Sequence, residues 1–239
     1  RIAESLGRAS WIRRMFEEGD RLRRERGPAA VFDYTLGNPD QEPPAEFQQA
    51  LLALASDPPA GIHRYMSNAG YPETRAAVAR HLADQTGLPA TADHVVMTCG
   101  AGGALNIILK ALLNPGEEVM VVAPYFVEYG FYIENHGGRP VVVQSGEEFQ
   151  LDLDEIARAV TPRTRALILN SPNNPTGTVY PAAVLSALDR LLAEKENEYG
   201  TAIYVISDEP YAKLVYDGVT VPPVFPLIGH SLVATSHSK

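Results

Sequence analysis

Cysteine occurs once in the 239 residues, at Cys99, so the chain can close no internal disulfide and holds no C-x-x-C metal or redox motif. A reducing cytoplasm is the simplest reading of that usage. The six histidines, His63, His81, His94, His136, His230 and His237, lack H-x-x-x-H or H-E spacing, which leaves no metal site to propose. Basic charge is in short supply, with 20 Lys+Arg against 29 Asp+Glu and a net charge of −9. Duplex nucleic acid is therefore excluded as the expected partner, and an anionic ligand needs local help from backbone amides or a few side chains. No apolar run approaches the roughly 20 residues that cross a bilayer. The opening Arg1-Ile-Ala-Glu-Ser5 lacks the apolar core of a signal peptide, and Glu4, Glu17, Glu18 and Asp20 argue against an Arg-rich transit peptide. Repeats and low-complexity tracts are also missing.

What is present is an ordinary globular composition, 45% hydrophobic and 21% charged. Residues 10–27 have the spacing of an amphipathic helix, capped by Ser10, with Trp11, Ile12, Met15, Phe16 and Leu22 on its apolar face. A short strand is expected over 31–36, then a Gly37-Asn-Pro39 turn and the link Glu42-Pro-Pro44. A domain boundary is expected there, with 1–45 an N-terminal helix, arm and small-domain segment and 46–239 a larger domain. Helices are expected over 46–55 and 71–86.

From His94 onward, strands and helices alternate. Strands are expected at 94–98, 118–123, 140–143, 165–170, 202–207 and 231–235. Helices are expected at 103–113, 127–136, 154–160 and 181–199, the third capped by Asp152 or Asp154. Near-continuous apolar strands separated by helices predict an α/β fold, a mostly parallel sheet covered on both faces. Ligands bind such sheets at the carboxyl ends of the strands.

The chemistry-bearing residues all fall at that edge. Gly100-Ala-Gly-Gly103 leads from a strand into a helix, where free amides and the helix dipole favour a phosphate. A tight turn alone would also use these glycines. A dinucleotide G-x-G-x-x-G fits poorly, because Leu105 stands at the third glycine. Phe126 follows the next strand and can cover a flat ring or simply pack. Asn174 sits in an Asn-Pro-Thr-Gly turn. Asp208 ends an apolar strand, where a carboxylate needs a cationic partner, either an arginine or a protonated ring nitrogen. Tyr211 lies three residues on. The last strand ends in Ser236-His-Ser-Lys239, placing a primary amine where it can form an imine with a carbonyl compound.

Asn170-Ser-Pro-Asn-Asn-Pro-Thr-Gly177, Ser207-Asp-Glu-Pro-Tyr211 and Ser236-His-Ser-Lys239 together closely resemble the class I/II aminotransferases, fold-type I enzymes that depend on pyridoxal 5′-phosphate. The resemblance runs from about Leu36-Gly-Asn-Pro-Asp40 through Tyr65, Gly70-Tyr-Pro72, Leu113-Asn-Pro-Gly-Glu-Glu-Val119 and Pro124-Tyr-Phe-x-x-Tyr129 to the last residue. It implies a seven-stranded-type sheet and a cofactor-binding large domain over 46–239. It also implies that Lys239 forms the imine with the cofactor and later moves the proton between the substrate's Cα and the cofactor, and that Asp208 keeps the pyridine nitrogen protonated. By the same resemblance Asn174 and Tyr211 contact the ring hydroxyl, and Phe126 stacks on the ring. Ala101, Gly102 and Ser236 hold the phosphate. Gly37, with Asn174, lies near the substrate carboxylate, and Tyr65 reaches the phosphate of a neighbouring subunit in a homodimer.

The family continues past the lysine into a further strand, a phosphate-binding arginine and an arginine that clamps the substrate carboxylate. The resemblance therefore implies that the 239 residues are the first part of a longer polypeptide. At Ala101 and Gly102 many members carry a hydroxyl or charged side chain, so the phosphate here is expected to rest more on backbone amides. The function implied is amino-group transfer between an α-amino acid and a 2-oxo acid by a ping-pong mechanism. The alternatives are another fold-type I reaction, such as a C–S lyase, and a non-catalytic ligand-sensing domain.

Overall fold

The computed structural model describes residues 15–32, 34 and 42–238. The chain divides into two compact units, 1–64 and 65–239. In the first, α1 covers residues 15–26 and α2 covers Ala45–Ser56. Arg21 of α1 bridges Glu18 and Glu25, pairs spaced to meet on one helical face. Ser10, Trp11, Ile12, Gly37 and three of the six residues of the strand expected at 31–36 lie outside the described residues.

The second unit opens with α3 (Pro72–Thr86), started by proline and stopped by Gly87 in the left-handed conformation at φ 70°. Next come α4 (Gly100–Leu112), β1 (Glu118–Ala123), α5 (Glu128–Asn135), β2 (Arg139–Gln144), α6 (Leu153–Ala159), β3 (Thr164–Asn170), α7 (Ala182–Tyr199), β4 (Tyr204–Asp208) and β5 (Ser231–Ala234). Of the two expected caps for α6, Asp152 serves, accepting from the Glu155 amide at 2.9 Å.

The described strands form one sheet in the order β2-β1-β3-β4-β5, with every neighbouring pair parallel. Strand alternation sends two sets of apolar side chains to opposite faces. Met120, Leu167, Leu169 and Val205 pack with Ile156 of α6 and Leu185, Leu188 and Leu192 of α7. Val119, Val121, Ile168 and Ile206 pack with Leu105 and Leu109 of α4 and Tyr129 and Ile133 of α5. Each such side chain contributes roughly 1.5–3 kcal/mol by leaving water, which fixes the helices on both faces.

The amino-terminal strand ends are tied by ion pairs. Arg163 meets the buried Glu118 at 2.9 Å, and Arg165 meets Glu117 at 2.5 Å. The carboxyl ends carry the site. The order reverses direction between β1 and β3, the kind of switch point beside which open α/β sheets take ligands.

Two expectations need correction. Residues 94–98 form no strand: a 3-10 turn over Ala92–His94 leads into an extended Val95, and the Met97 amide donates to Ala69 O instead of to a sheet neighbour. The residues are strand formers, but β propensity yields a strand only where another backbone pairs with it. Helix α4 begins at Gly100, ahead of the expected Gly103. Glycine disfavours a helix interior, whereas a first turn needs no intrahelical acceptor for its amides, and Gly100 enters at φ 71°, where a side chain is strained.

Candidate active site

Parallel pairing brings four loop starts to one edge. Ala123, Asn170, Asp208 and Ala234 end β1, β3, β4 and β5, and Asn170 stands opposite Asp208, which stands opposite Ala234. Phe126 therefore follows β1, Asn174 follows β3, Tyr211 follows β4 and Ser236 follows β5. The first turn of α4, with Ala101 and Gly102, belongs to a helix packed against β4 and β5.

Asp208 is the centre of the arrangement. It is 6% exposed, and its Oδ2 accepts the Tyr129 hydroxyl at 2.6 Å. Its Oδ1 is buried without a hydrogen-bond partner. No ion pair involves Asp208 among the described residues, so the arginine alternative has no support there. Desolvation raises its pKa to about 6, against the lowering effect of the Tyr129 hydrogen bond. Burial also pushes the neighbouring Glu209 up, while Ser207 donates to its Oε1 at 2.7 Å.

The Asn-Pro-Thr-Gly loop is held from within and from β3. Asn170 donates to the Asp208 carbonyl at 2.8 Å and accepts the Asn174 amide at 2.6 Å. Asn173 accepts from the Thr176 amide and hydroxyl, closing the turn. Asn174 is thereby placed with its Nδ2 3.3 Å from the Tyr211 hydroxyl. The pair presents two polar groups to one spot.

Phe126 meets Tyr129 edge-on, with ring centroids 5.6 Å apart and planes at 83°. Below it, Asn106 donates to Gly102 O at 2.8 Å and is itself bonded to His136, which steadies the first turn of α4. A Cβ on Gly102 would lie 3.3 Å from the Tyr132 hydroxyl. Ser236 is half-buried, 2.7 Å from Ser238 through their hydroxyls.

Thus Asp208, Asn174, Tyr211 and Phe126 gather with the α4 turn and Ser236 at the same sheet edge. Tyr65 is fully exposed within its own chain. Lys239 and Gly37 lie outside the described residues. Sequence reasoning missed the bond of Tyr129 to Asp208 and the approach of Tyr132 to Gly102, two tyrosines that α5 carries three residues apart on one face. The Pro124-Tyr-Phe-x-x-Tyr129 motif was the available signal, but nothing in it says that a tyrosine meets a carboxylate 79 residues away. Among the described residues no group of three or more His, Cys, Asp or Glu gathers to hold a metal.

This parallel sheet with a buried aspartate and a polar Asn–Tyr pair at its strand ends accompanies a match of residues 31–239 to the family model for aminotransferase class I and II, and the chain belongs to that family. Among its relatives, the aspartate/prephenate aminotransferase of Thermus thermophilus is 39% identical over 208 residues, which are 86% of this chain and 51% of that protein. The arginine–pyruvate transaminase of Pseudomonas aeruginosa is 36% identical over 191 residues, 79% of this chain and 46% of that one. A crystal structure of an amino transferase from Eubacterium rectale superposes with a TM-score of 0.94 at 38% identity, over 99% of this chain and 61% of the other. The aspartate aminotransferase from Thermus thermophilus with maleate superposes at 0.80 and 37% identity, over 95% and 57%. The chain spans about half the length of the curated relatives it matches.

Proposed function

We propose that the chain carries amino-group transfer between an α-amino acid and a 2-oxo acid, with pyridoxal 5′-phosphate as cofactor. The observation that carries this reading is Asp208 Oδ1, a carboxylate oxygen out of water and without a donor. Leaving such an acceptor unmet costs about 1–3 kcal/mol or more, which a cationic N–H in the same place offsets. The surrounding groups fit the rest of that cofactor: an aromatic face at Phe126, the Asn174–Tyr211 pair for a ring oxygen, and the Ala101 and Gly102 amides in the first turn of α4 for a dianionic phosphate.

When bound, the cofactor would supply a protonated ring able to accept the electron pair left on the substrate's Cα. The chain's residues do the rest. Asp208 holds the ring-nitrogen proton through Oδ1. Asn174 and Tyr211 orient the ring by its oxygen, and Phe126 covers one face and excludes water. The amides of Ala101 and Gly102 with the Ser236 hydroxyl anchor the phosphate. The amine of Lys239 would carry the proton between Cα and the cofactor, and Gly37 and Asn174 would receive the substrate carboxylate. Residues 46–239 serve in this reading as the cofactor-binding domain, and 1–45 as an N-terminal arm and small-domain segment.

The exposure of Tyr65 supports a homodimer in which that side chain reaches the partner copy's phosphate site. The single cysteine supports a reducing, cytoplasmic location. No helix among the described residues is long and apolar enough to cross a membrane.

One experiment tests the reading. The full-length protein is fractionated by size, and each fraction receives pyridoxal phosphate, nitrogen-15-labelled amino acids and unlabelled 2-oxo acids. The expected result is labelled product amino acid in the fractions of dimer size. Release of labelled ammonia without a new amino acid, or activity confined to monomer, contradicts it.

A further inference from the structure

The two oxygens of Asp208 have different surroundings, and one side chain makes them so. Tyr129 is 1% exposed, and its ring is stacked on Tyr125 at 6.4 Å and 10° and met edge-on by Phe126. A tyrosine fixed on both sides leaves its hydroxyl a single place to be. That place is 2.6 Å from Asp208 Oδ2, the short spacing of a hydrogen bond to a charged acceptor. At the other end of Asp208, Asn170 fixes the backbone carbonyl at 2.8 Å.

We propose that Tyr129 is a positioning residue for Asp208: its hydroxyl captures Oδ2 and so aims Oδ1 at the place of the cofactor's ring nitrogen. The proposal rests on the cofactor reading above. A carboxylate bound only through its backbone can turn about its side-chain torsions and share both oxygens with whatever donor arrives. With one oxygen claimed, the other has a fixed direction, and a ring N–H needs no reorganisation of the protein to meet it. The bond also favours the ionised carboxylate in a place where burial favours the neutral acid. Without that help, Asp208 competes with the ring nitrogen for the proton, and the ring holds it less firmly. Tyr129 itself stays a donor, because burial and the facing Asp208 carboxylate push its phenol far above physiological pH.

The test uses full-length holoenzyme loaded with pyridoxal phosphate that is nitrogen-15-labelled in the ring. The ring-nitrogen resonance is followed against pH in wild type, Tyr129→Phe and Tyr180→Phe. Tyr180 is buried on the opposite face of the sheet, so its variant removes a buried hydroxyl without touching Asp208. The nitrogen is expected to stay protonated to the same pH in wild type and Tyr180→Phe. In Tyr129→Phe it is expected to lose its proton at least about one pH unit lower, since one hydrogen bond to a charged group is removed. An unmoved titration in a Tyr129→Phe enzyme that retains cofactor overturns the inference alone. Wild-type protein that takes up no pyridoxal phosphate overturns the proposed function with it. Should Tyr129→Phe fail to fold, the wild-type holoenzyme still decides: a slowly exchanging, downfield Tyr129 hydroxyl proton supports the bond, and its absence contradicts it.

Discussion

Asp208 shows what burying a carboxylate costs. Its pKa rises from the ordinary 3.8 to about 6 because the folded protein withdraws it from water. The folded state therefore binds a proton more tightly than the unfolded chain does. The stabilisation from that proton is complete below about pH 4 and is lost as pH climbs through about 6. Cofactor-free protein should thus be held back at neutral pH by an ionised Asp208. Asp208→Asn, which keeps an acceptor for Tyr129, should be more stable than wild type at pH 7.5 by on the order of 2 kcal/mol, and the gain should vanish near pH 4. Denaturant unfolding of the two cofactor-free, full-length proteins at both pH values measures it; equal stability at pH 7.5 means the carboxylate is not penalised. At this scale much of the candidate site was legible. Asp208, Asn174 and Tyr211 stand in short motifs next to strand ends, and local sequence places them. The Tyr129–Asp208 bond was not legible, since it joins α5 to β4 through the core.

At the scale of elements, the spacing of apolar residues located β1 at its observed limits and the other sheet strands to within two residues, because a buried parallel strand is a run of apolar side chains that few other structures need. Residues 94–98 carry the same pattern without a pairing backbone among the described residues, and no local signal distinguishes the two cases. Helix α5 matters most to the site, as it carries Tyr129 and Tyr132. Its seat depends on Gly138, where the chain turns into β2. A Cβ there would stand 2.8 Å from Leu113 Cδ1 and 2.9 Å from Ile133 Cγ2, closer than packed atoms tolerate. Gly138→Ala should force α5 outward and destabilise the protein by roughly 1–3 kcal/mol, the usual cost of overpacking a tight core. Thermal unfolding checks this, and a variant as stable as wild type would show that α5 has slack. Gly130, whose added Cβ meets nothing within 4 Å, marks a position on the same helix without that constraint.

The molecule as a whole joins two separately readable facts. A doubly covered parallel sheet follows from strand and helix alternation, and a site at the carboxyl ends follows from the parallel order, whatever the ligand. The ligand proposed for that edge rests on motif order and on one unsatisfied oxygen, both independent of the packing that holds the sheet together. Lys239, the residue on which the proposed chemistry turns, lies outside the described residues, and only its place after β5 was legible. Its role is also the most directly measurable. Borohydride reduction of the full-length protein loaded with pyridoxal phosphate, followed by digestion and mass mapping, should place the cofactor label on Lys239. A label on Lys110, Lys195 or Lys213, or no label on any lysine, would contradict the proposed site.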